Sequence, residues 1–275
     1  MTPDIPKRDF EPGQPLCINR KIHNSEIKVR QAAFVDRFAQ GCNGAMVSSQ
    51  EAALAPIEHP YVIRGMKFTA AVNLCWQTGR TFYYIDNGYI GNVGRKVHFR
   101  IIKDHVHDIR PIIERPRDRL DQLYFTMKRF STGSKILVAP PSEKSFSLWN
   151  INQQQWIDET VAEIKQHTDR PIEIRSKINK KTRTSLYQTL LDGDYYCTIS
   201  INSNSAIESV WAGVPAITLD KHVSNTVTRN SLSQINDLYY GPLGDWLAWL
   251  SYCQFTYDEL MDGTALSIIR EYHSV

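Results

Sequence analysis

Residues 195–219, YYCTISINSNSAIESVWAGVPAITL, compress a strand, a polar turn, a short helix, a glycine stop and a second strand into one unit. Tyr196, Thr198, Ser200 and Asn202 alternate with Cys197, Ile199 and Ile201, the period of a strand, and Ser205-Ala-Ile-Glu208 has the S-x-x-E form of a helix capping box. A helix is therefore predicted from about Ser205. Ala206, Ile207, Val210 and Trp211 recur at helical spacing, Gly213 stands where a left-handed C-terminal residue is wanted, and Pro215 stops the helix ahead of a strand over Ala216–Leu219.

The Ser203-Asn204-Ser205 turn turns backbone N–H groups and the positive end of the helix dipole toward whatever binds there, which suits a phosphate. Two readings stay open from these residues. One is an ordinary α/β junction in which Glu208 caps its own helix; the other is a nucleotide site in which Glu208 takes the two hydroxyls of a ribose.

Upstream the same pattern repeats. KILVAP (135–140) reads as a buried strand, Trp156–His167 as an amphipathic helix, PIEIRSK (171–177) as a strand and Ser185–Leu191 as a helix. Nearer the start, Ala32–Ala39 and Lys67–Trp76 read as helices, and Ala45–Val47, Tyr61–Ile63 and Thr81–Ile85 as short strands. Residues 115–134, with a charged, proline-containing beginning and a Ser/Thr/Gly end, read as a hinge. The expected fold is α/β: two Rossmann-like halves facing a cleft, with C-terminal helices packing back on the first half. The boundaries expected are an extended arm over 1–25, an acceptor-side α/β domain over 26–125, a donor-binding α/β domain over 126–255, and a C-terminal helix over 256–275. Ligands of such open sheets sit at the carboxyl ends of the strands.

Composition narrows the class. A chain of 275 residues, 42% hydrophobic and 22% charged, has the make-up of a soluble globular protein with ample core. No run of 18 apolar residues occurs, and MTPDIPKRDF lacks the apolar centre of a signal peptide, so a cytoplasmic protein without a membrane span is expected. Five scattered cysteines without a CxxC read as buried free thiols. The net charge is only +3. It conceals two basic zones, Arg95, Lys96, Arg100, Lys103, Arg110, Arg115, Arg117 and Arg119 in one, Arg170, Arg175, Lys177, Lys180, Lys181 and Arg183 in the other. They imply two anionic partners, one long one, or, since Asp104, Asp108, Glu114 and Asp118 are interleaved with the first, a solvated charged face.

Arg175 and Lys177 follow the strand Pro171–Ile174, and placed beside the Ser203–Ser205 turn they would supply fixed cations to a diphosphate. In TFYYIDNGYIGNVGRK (81–96) Asp86 ends an aromatic strand and is followed at once by Asn87 and Gly88. It is either a general base held by a tight turn or the carboxylate of a turn that bonds its own backbone. Tyr89, Arg95 and Lys96, around a Gly91-x-x-Gly94 loop, are the candidate acceptor-binding residues. His98, His105 and His107 match no ligand set, so no metal is expected. Walker A, GxSxG and HExxH motifs are absent. Trp246, Trp249, Leu250 and Cys253 share a helical face, a further helix is predicted from about Tyr257, and Gln254 is a candidate to reach the cleft.

At these residues the chain resembles glycosyltransferases of the GT-B type. TISINSNSAIESVWAGVPAITL is similar to the donor segment of bacterial capsular polysaccharide transferases, including the Kdo transferases, with a T-x-x-S-x-x-x-x-E-x-x-x-x-G-x-P pattern. Thr198 or Ser200, Ser203, Ser205, Glu208, Gly213 and Pro215 match its elements. IDNGY (85–89) resembles their acidic E-D-G-F/Y motif, which implies a catalytic role for Asp86; IRSK stands where they have a lysine-histidine-proline element. From about residue 80 onward the chain also resembles compact phage-encoded glycosyltransferases, on YYIDNGYIGN, ILVAPPSEKS, TDRPIEIRSK and WLSYCQFTYDELMDGTA. Several of these modify 5-hydroxymethylated pyrimidines in DNA.

The resemblance implies transfer of a sugar from a nucleoside diphosphate donor, a UDP-sugar favoured, to a hydroxyl on modified double-stranded DNA, without cofactor or metal. Asp86 would activate the acceptor or, in a retaining reaction, act as nucleophile. Alternatives are the same chemistry on a surface or capsular glycan, and a nucleotide-sugar-binding or DNA-binding protein without turnover.

Overall fold

The computed structural model of the chain describes residues 8–18, 29–65, 68–90, 97–107, 109, 111–123, 126–175 and 184–272. The chain divides into two compact units, Met1–Val106 with Tyr252–Val275, and His107–Ser251.

The first unit is built on a five-stranded sheet of β1 (Leu16–Ile18), β2 (Ala45–Val47), β3 (Tyr61–Arg64), β4 (Phe82–Asn87) and β5 (Phe99–Lys103), in the order β2-β1-β3-β4-β5. The pairings are parallel up to β4, and β5 closes the edge antiparallel to it. β1 corrects the expectation of an extended arm over residues 1–25. Leu16, Cys17 and Ile18 are buried between two neighbouring strands, and three residues give too short a period to read as a strand. The helices are α1 (Val29–Gly41), α2 (Ser49–Leu54) and α3 (Thr69–Thr78). α2, not foreseen, carries a complete capping box between Ser48 and Glu51.

The expected C-terminal helix is two, α10 (Tyr257–Met261) and α11 (Thr264–Tyr272). They are separated by Gly263 at φ +89° and by Asp262, whose carboxylate takes the Thr264 amide. A Thr256–Glu259 capping box starts α10. Both helices pack in the first unit, α10 on α1 and α11 on β5, and Phe34, Phe38, Phe99, Phe255, Leu260 and Ile269 belong to one core cluster. Backbone bonds in both directions between Phe99 and Phe255 add the returning chain to the edge of β5.

The second unit holds β6 (Lys135–Val138), β7 (Ile172–Ile174), β8 (Tyr195–Ile201) and β9 (Ala216–Leu219), all parallel, in the order β7-β6-β8-β9. Its helices are α4 (Asp118–Asp121), α5 (Glu143–Leu148), α6 (Gln153–His167), α7 (Leu186–Asp192), α8 (Ser205–Trp211) and α9 (Gly244–Tyr252). One face of the sheet packs Ile136, Val138, Cys197, Ile199 and Ile217 against Trp156, Ile157 and Ile164 of α6; the other packs Leu137 and Tyr195 against Leu186 and Leu190 of α7. A bulge at the start of β8 lets Tyr196 pack beside the apolar row of Cys197 instead of the polar row of Thr198.

Residues 107–125, expected in the first half, fall in the second unit, and the 115–134 stretch, read as a hinge, is bonded along it. Arg119 Nε donates to the Ser251 carbonyl, the Trp211 indole and the Tyr187 hydroxyl donate to the Thr126 carbonyl, and the Lys128 and Ser131 amides donate to the carbonyls of Trp211 and Gly213. Gly213 has the left-handed φ of +79° that the sequence predicts, and a Cβ there would lie 2.2 Å from the Arg129 carbonyl.

All five cysteines are free and buried. Burial pushes the Cys75 and Cys197 thiols up to about 12. Below the ordinary thiol range both are protonated in folded and unfolded chains alike, so they do not alter stability there. Above it the unfolded chain ionises first, and stability is expected to fall progressively as pH rises toward 12. Urea midpoints from pH 8 to 11 check this, and a flat profile would contradict the burial. A second outcome concerns the contact of α1 with α10, where a Cβ on Gly41 would lie 2.1 Å from the Leu260 carbonyl. Gly41→Ala is expected to force the helices apart and destabilise the first unit by about 1–3 kcal/mol, read as a lower urea midpoint.

Candidate active site

The second sheet reverses its direction of growth at β6. From β6 the chain passes through α5 and α6 to β7 on one side, then through α7 to β8 on the other. Connections that leave in opposite directions open a crevice outside the carboxyl ends of the two strands, the usual ligand position in an open parallel sheet. Here that crevice lies between the turn after β6, Ala139–Ser142, and the turn after β8, Asn202–Ser205.

β8 carries an unusual load for a strand covered on both faces. Thr198 and Ser200 are fully buried, where a parallel strand would ordinarily be apolar. The Ser209 hydroxyl of α8 donates to Thr198 Oγ1 at 2.7 Å, which ties the helix to the strand beneath it. Ser200 Oγ finds no partner among the described residues. Beside it, in register, Thr218 shares a hydrogen bond with Ser224, whose hydroxyl also meets His222 Nδ1 at 2.8 Å. His222 packs against His107 with the rings tilted and their centres 4.8 Å apart.

The helix start departs from the sequence prediction. α8 is capped at Asn204, already in a right-handed helical conformation, and the Asn204 side chain makes no capping bond. The Ser205–Glu208 capping box is therefore not formed. Instead Ser203 Oγ accepts the Ser205 amide and bonds the Ser205 hydroxyl at 2.8 Å. With the cap one residue earlier, the third helical position falls on Ile207 rather than Glu208. Ser203, Asn204, Ser205 and Glu208 are all half-buried.

Arg175 is not a neighbour of this turn. It follows the edge strand β7, its amide donates to the Val138 carbonyl, and its guanidinium donates to the Thr184 carbonyl at 2.8 Å. β6 stands between β7 and β8, so two strand spacings, about 10 Å, separate them. The side-by-side placement expected from chain order fails because the crossover returns on the far side of β6. Lys177 lies outside the described residues.

In the first unit Asp86 is not in a turn. It sits within β4, opposite Arg100 of β5 in the antiparallel register, and the carboxylate faces that guanidinium at 3.6 Å. The Tyr84 hydroxyl donates to Asp86 Oδ2 at 3.2 Å, and the Asn87 amide donates to Oδ1 at 2.8 Å. The Asp86 side chain keeps 27% of its surface exposed, while that of Arg100 keeps 5%. Burial, and secondarily the Asp86 charge, holds the Tyr84 phenol well above its ordinary range. Tyr89, expected to meet an acceptor, is itself buried, its ring 5.0 Å from the Arg100 guanidinium carbon. Arg95 and Lys96 lie outside the described residues. Arg100 thus leaves the first basic zone: it is a buried partner of the acid, not a surface cation.

Gln254, buried at 1% exposure, holds the chain just beyond the acid. Its Oε1 accepts the amides of Tyr89 at 2.7 Å and Ile90 at 3.0 Å, and its Nε2 donates to the Ile90 carbonyl at 2.9 Å. Gly88 is needed beneath it, since a Cβ there would stand 2.8 Å from Gln254 Oε1.

Three residues of these arrangements carry no individual site reading in the sequence: Arg100, Asn202 and Asp220. The Asn202 amide donates to Asp220 Oδ2 at 2.9 Å. A signal for that pair exists, because β8 and β9 pair with a constant offset of 18 residues, Ile201 with Leu219, and the next pair is Asn202 with Asp220. Among the described residues no three His, Cys, Asp or Glu side chains gather as a metal site, and no helix is long and apolar enough to cross a membrane. A groove of about 470 Å³ lined by Lys165, Thr168, Arg170 and Ile172 lies at the amino end of β7, away from the carboxyl ends just described.

No protein-family model matches the chain, and no curated protein matches it. Among solved structures it is similar to the beta Kdo 2,4 transferase of Thermosulfurimonas dismutans KpsC, at 11% identity and a TM-score of 0.52, covering 94% of this chain and 99% of that one. The beta Kdo 2,7 transferase of the same KpsC matches at 10% identity and a TM-score of 0.48, covering 92% and 99%. The first likeness gives the chain the α/β fold of GT-B type transferases. Neither neighbour is described as a phage DNA transferase.

Replacing Gln254 by Ala would leave two buried amides and a carbonyl without partners. The Tyr89 and Ile90 amides are expected to exchange with solvent about tenfold faster or more, measured by hydrogen exchange. Unchanged protection would contradict the anchoring role.

Proposed function

We propose that this chain is a glycosyltransferase that moves a sugar from a nucleoside diphosphate sugar, a UDP-sugar favoured, to a hydroxyl acceptor, the acceptor being a 5-hydroxymethylated pyrimidine of DNA. The observation that carries the proposal is a GT-B type fold over nearly the whole chain, whose second sheet ends in buried polar groups at its topological switch point. The DNA acceptor rests on the resemblance of YYIDNGYIGN, ILVAPPSEKS and TDRPIEIRSK to phage-encoded glycosyltransferases.

In this reading the donor's diphosphate lies at the Ser203–Ser205 turn, Glu208 takes ribose hydroxyls, and Arg175 and Lys177, which follow β7 on the far side of β6, supply longer-range positive charge. A carboxylate oxygen of Asp86 takes the proton of the acceptor hydroxyl as that oxygen attacks the anomeric carbon. The bond from that carbon to the diphosphate breaks, and the charge that develops on the leaving phosphate is met by hydroxyls, amides and cations without a metal. Arg100 and Tyr84 hold the carboxylate in place.

Incubation with UDP- and GDP-sugars and hydroxymethylated DNA, followed by mass measurement of the nucleosides, is expected to give a hexose or pentose mass gain with one donor. No gain with any donor would refute the DNA acceptor. Asp86→Asn is expected to abolish turnover and spare donor binding, and an active variant would remove Asp86 from its role. Arg175→Ala is expected to weaken donor binding several-fold. Binding of DNA is expected to fall steeply with salt as released counterions cease to drive it, whereas binding of a neutral glycan would barely respond.

A further inference from the structure

The turn after β8 contains a hydrogen-bond acceptor whose direction is fixed and which has no partner among the described residues. Asn202 at φ +45° and Asp220 at φ +68° occupy equivalent places just beyond β8 and β9. The Asp220 carboxylate only accepts, so the Asn202 group facing Oδ2 at 2.9 Å is the NH₂ end. The other carboxylate oxygen already takes the Lys221 amide at 2.7 Å. Asn202 Oδ1 is thereby turned away from Asp220. The residue is 5% exposed, and Oδ1 has no hydrogen-bond partner among the described residues. Ser200 Oγ, two positions earlier on the strand and fully buried, is in the same condition. A buried acceptor left alone is costly, so a paired state is expected to exist.

The chemistry of that missing partner is restricted. Asn202 Oδ1 accepts and does not donate, and the adjacent carboxylate repels a phosphate. What complements the pair is a hydrogen-bond donor that carries no negative charge, and a ring hydroxyl of a nucleotide-sugar is such a donor. We propose that Asn202 and Ser200 are the hydroxyl-reading end of the nucleotide-sugar site, accepting from a ring hydroxyl of the ribose or of the transferred sugar while Asp220 keeps the diphosphate away from this position. This rests on the donor site proposed above. It adds that Asn202 and Ser200 select a hydroxylated ring, and that the diphosphate lies on the Ser203–Ser205 side of the turn.

The test is calorimetric titration of wild type, Asn202→Ala and Ser200→Ala with UDP, its 2′- and 3′-deoxy analogues, and UDP-glucose. Both variants are expected to bind UDP-glucose about tenfold more weakly. If the ribose supplies the hydroxyl, UDP weakens in the same ratio while one deoxy analogue binds wild type and variants alike. If the sugar supplies it, only UDP-glucose weakens. Ser200→Ala removes an unpartnered buried hydroxyl and is expected to fold with an undiminished melting temperature, which keeps the test usable should Asn202→Ala unfold. Wild-type affinity of both variants for all four ligands would overturn the proposal and leave a buried water as the partner. Absence of binding to the wild type would overturn the donor site itself, and this inference with it.

Discussion

A strand buried on both faces has no water to satisfy its polar side chains, and β8 carries Thr198 and Ser200 in that setting. The second unit is arranged around this constraint. Ser209 reaches down from α8 to Thr198 and also donates to the Val214 carbonyl, so one hydroxyl fixes both the height of the helix over the strand and the path of the chain leaving it. Gly213 then turns with positive φ against the Arg129 carbonyl, and β9 begins in a register that brings Thr218 beside Ser200 and Asp220 beside Asn202. Polar satisfaction is complete at Thr198, under Ser209, and incomplete among the described residues toward the carboxyl end of β8, at Ser200 and Asn202.

The first unit meets a related problem with charge. A guanidinium as buried as that of Arg100 is costly unless paired, and Asp86 and the face of Tyr89 are its neighbours. The pairing depends on β5 running antiparallel to β4, and the position of the following residues depends on Gln254, which arrives with the returning C-terminal segment. The segment that leads into the two C-terminal helices supports the strand pair that holds the acid, since it carries Gln254 and pairs with Phe99 through Phe255.

Local features were legible in the sequence and long-range ones were not. The βα unit at 195–219 was readable because alternation, Gly213 and Pro215 act within a few residues of one another. β1 was hidden because three residues become a strand only by being enclosed. The capping box at Ser205 misled because Asn204 enters the helical conformation first, while the same motif at Ser48 and Thr256 forms. Arg175 was set too near Ser203 because chain order does not reveal on which side of β6 the next strand returns. Arg100 looked like a surface cation because only its pairing across β4 shows otherwise. Gln254 bonds residues 164 and 165 positions away, a distance over which one sequence carries no signal.

The carboxyl edge of the second sheet is the proposed seat of the nucleotide. A crystal structure with a bound UDP-sugar tests this most directly. The predicted result is a diphosphate at Ser203–Ser205 and a ring hydroxyl on Asn202 Oδ1. A nucleotide seated instead in the groove by Lys165 and Arg170, at the amino end of β7, would contradict it.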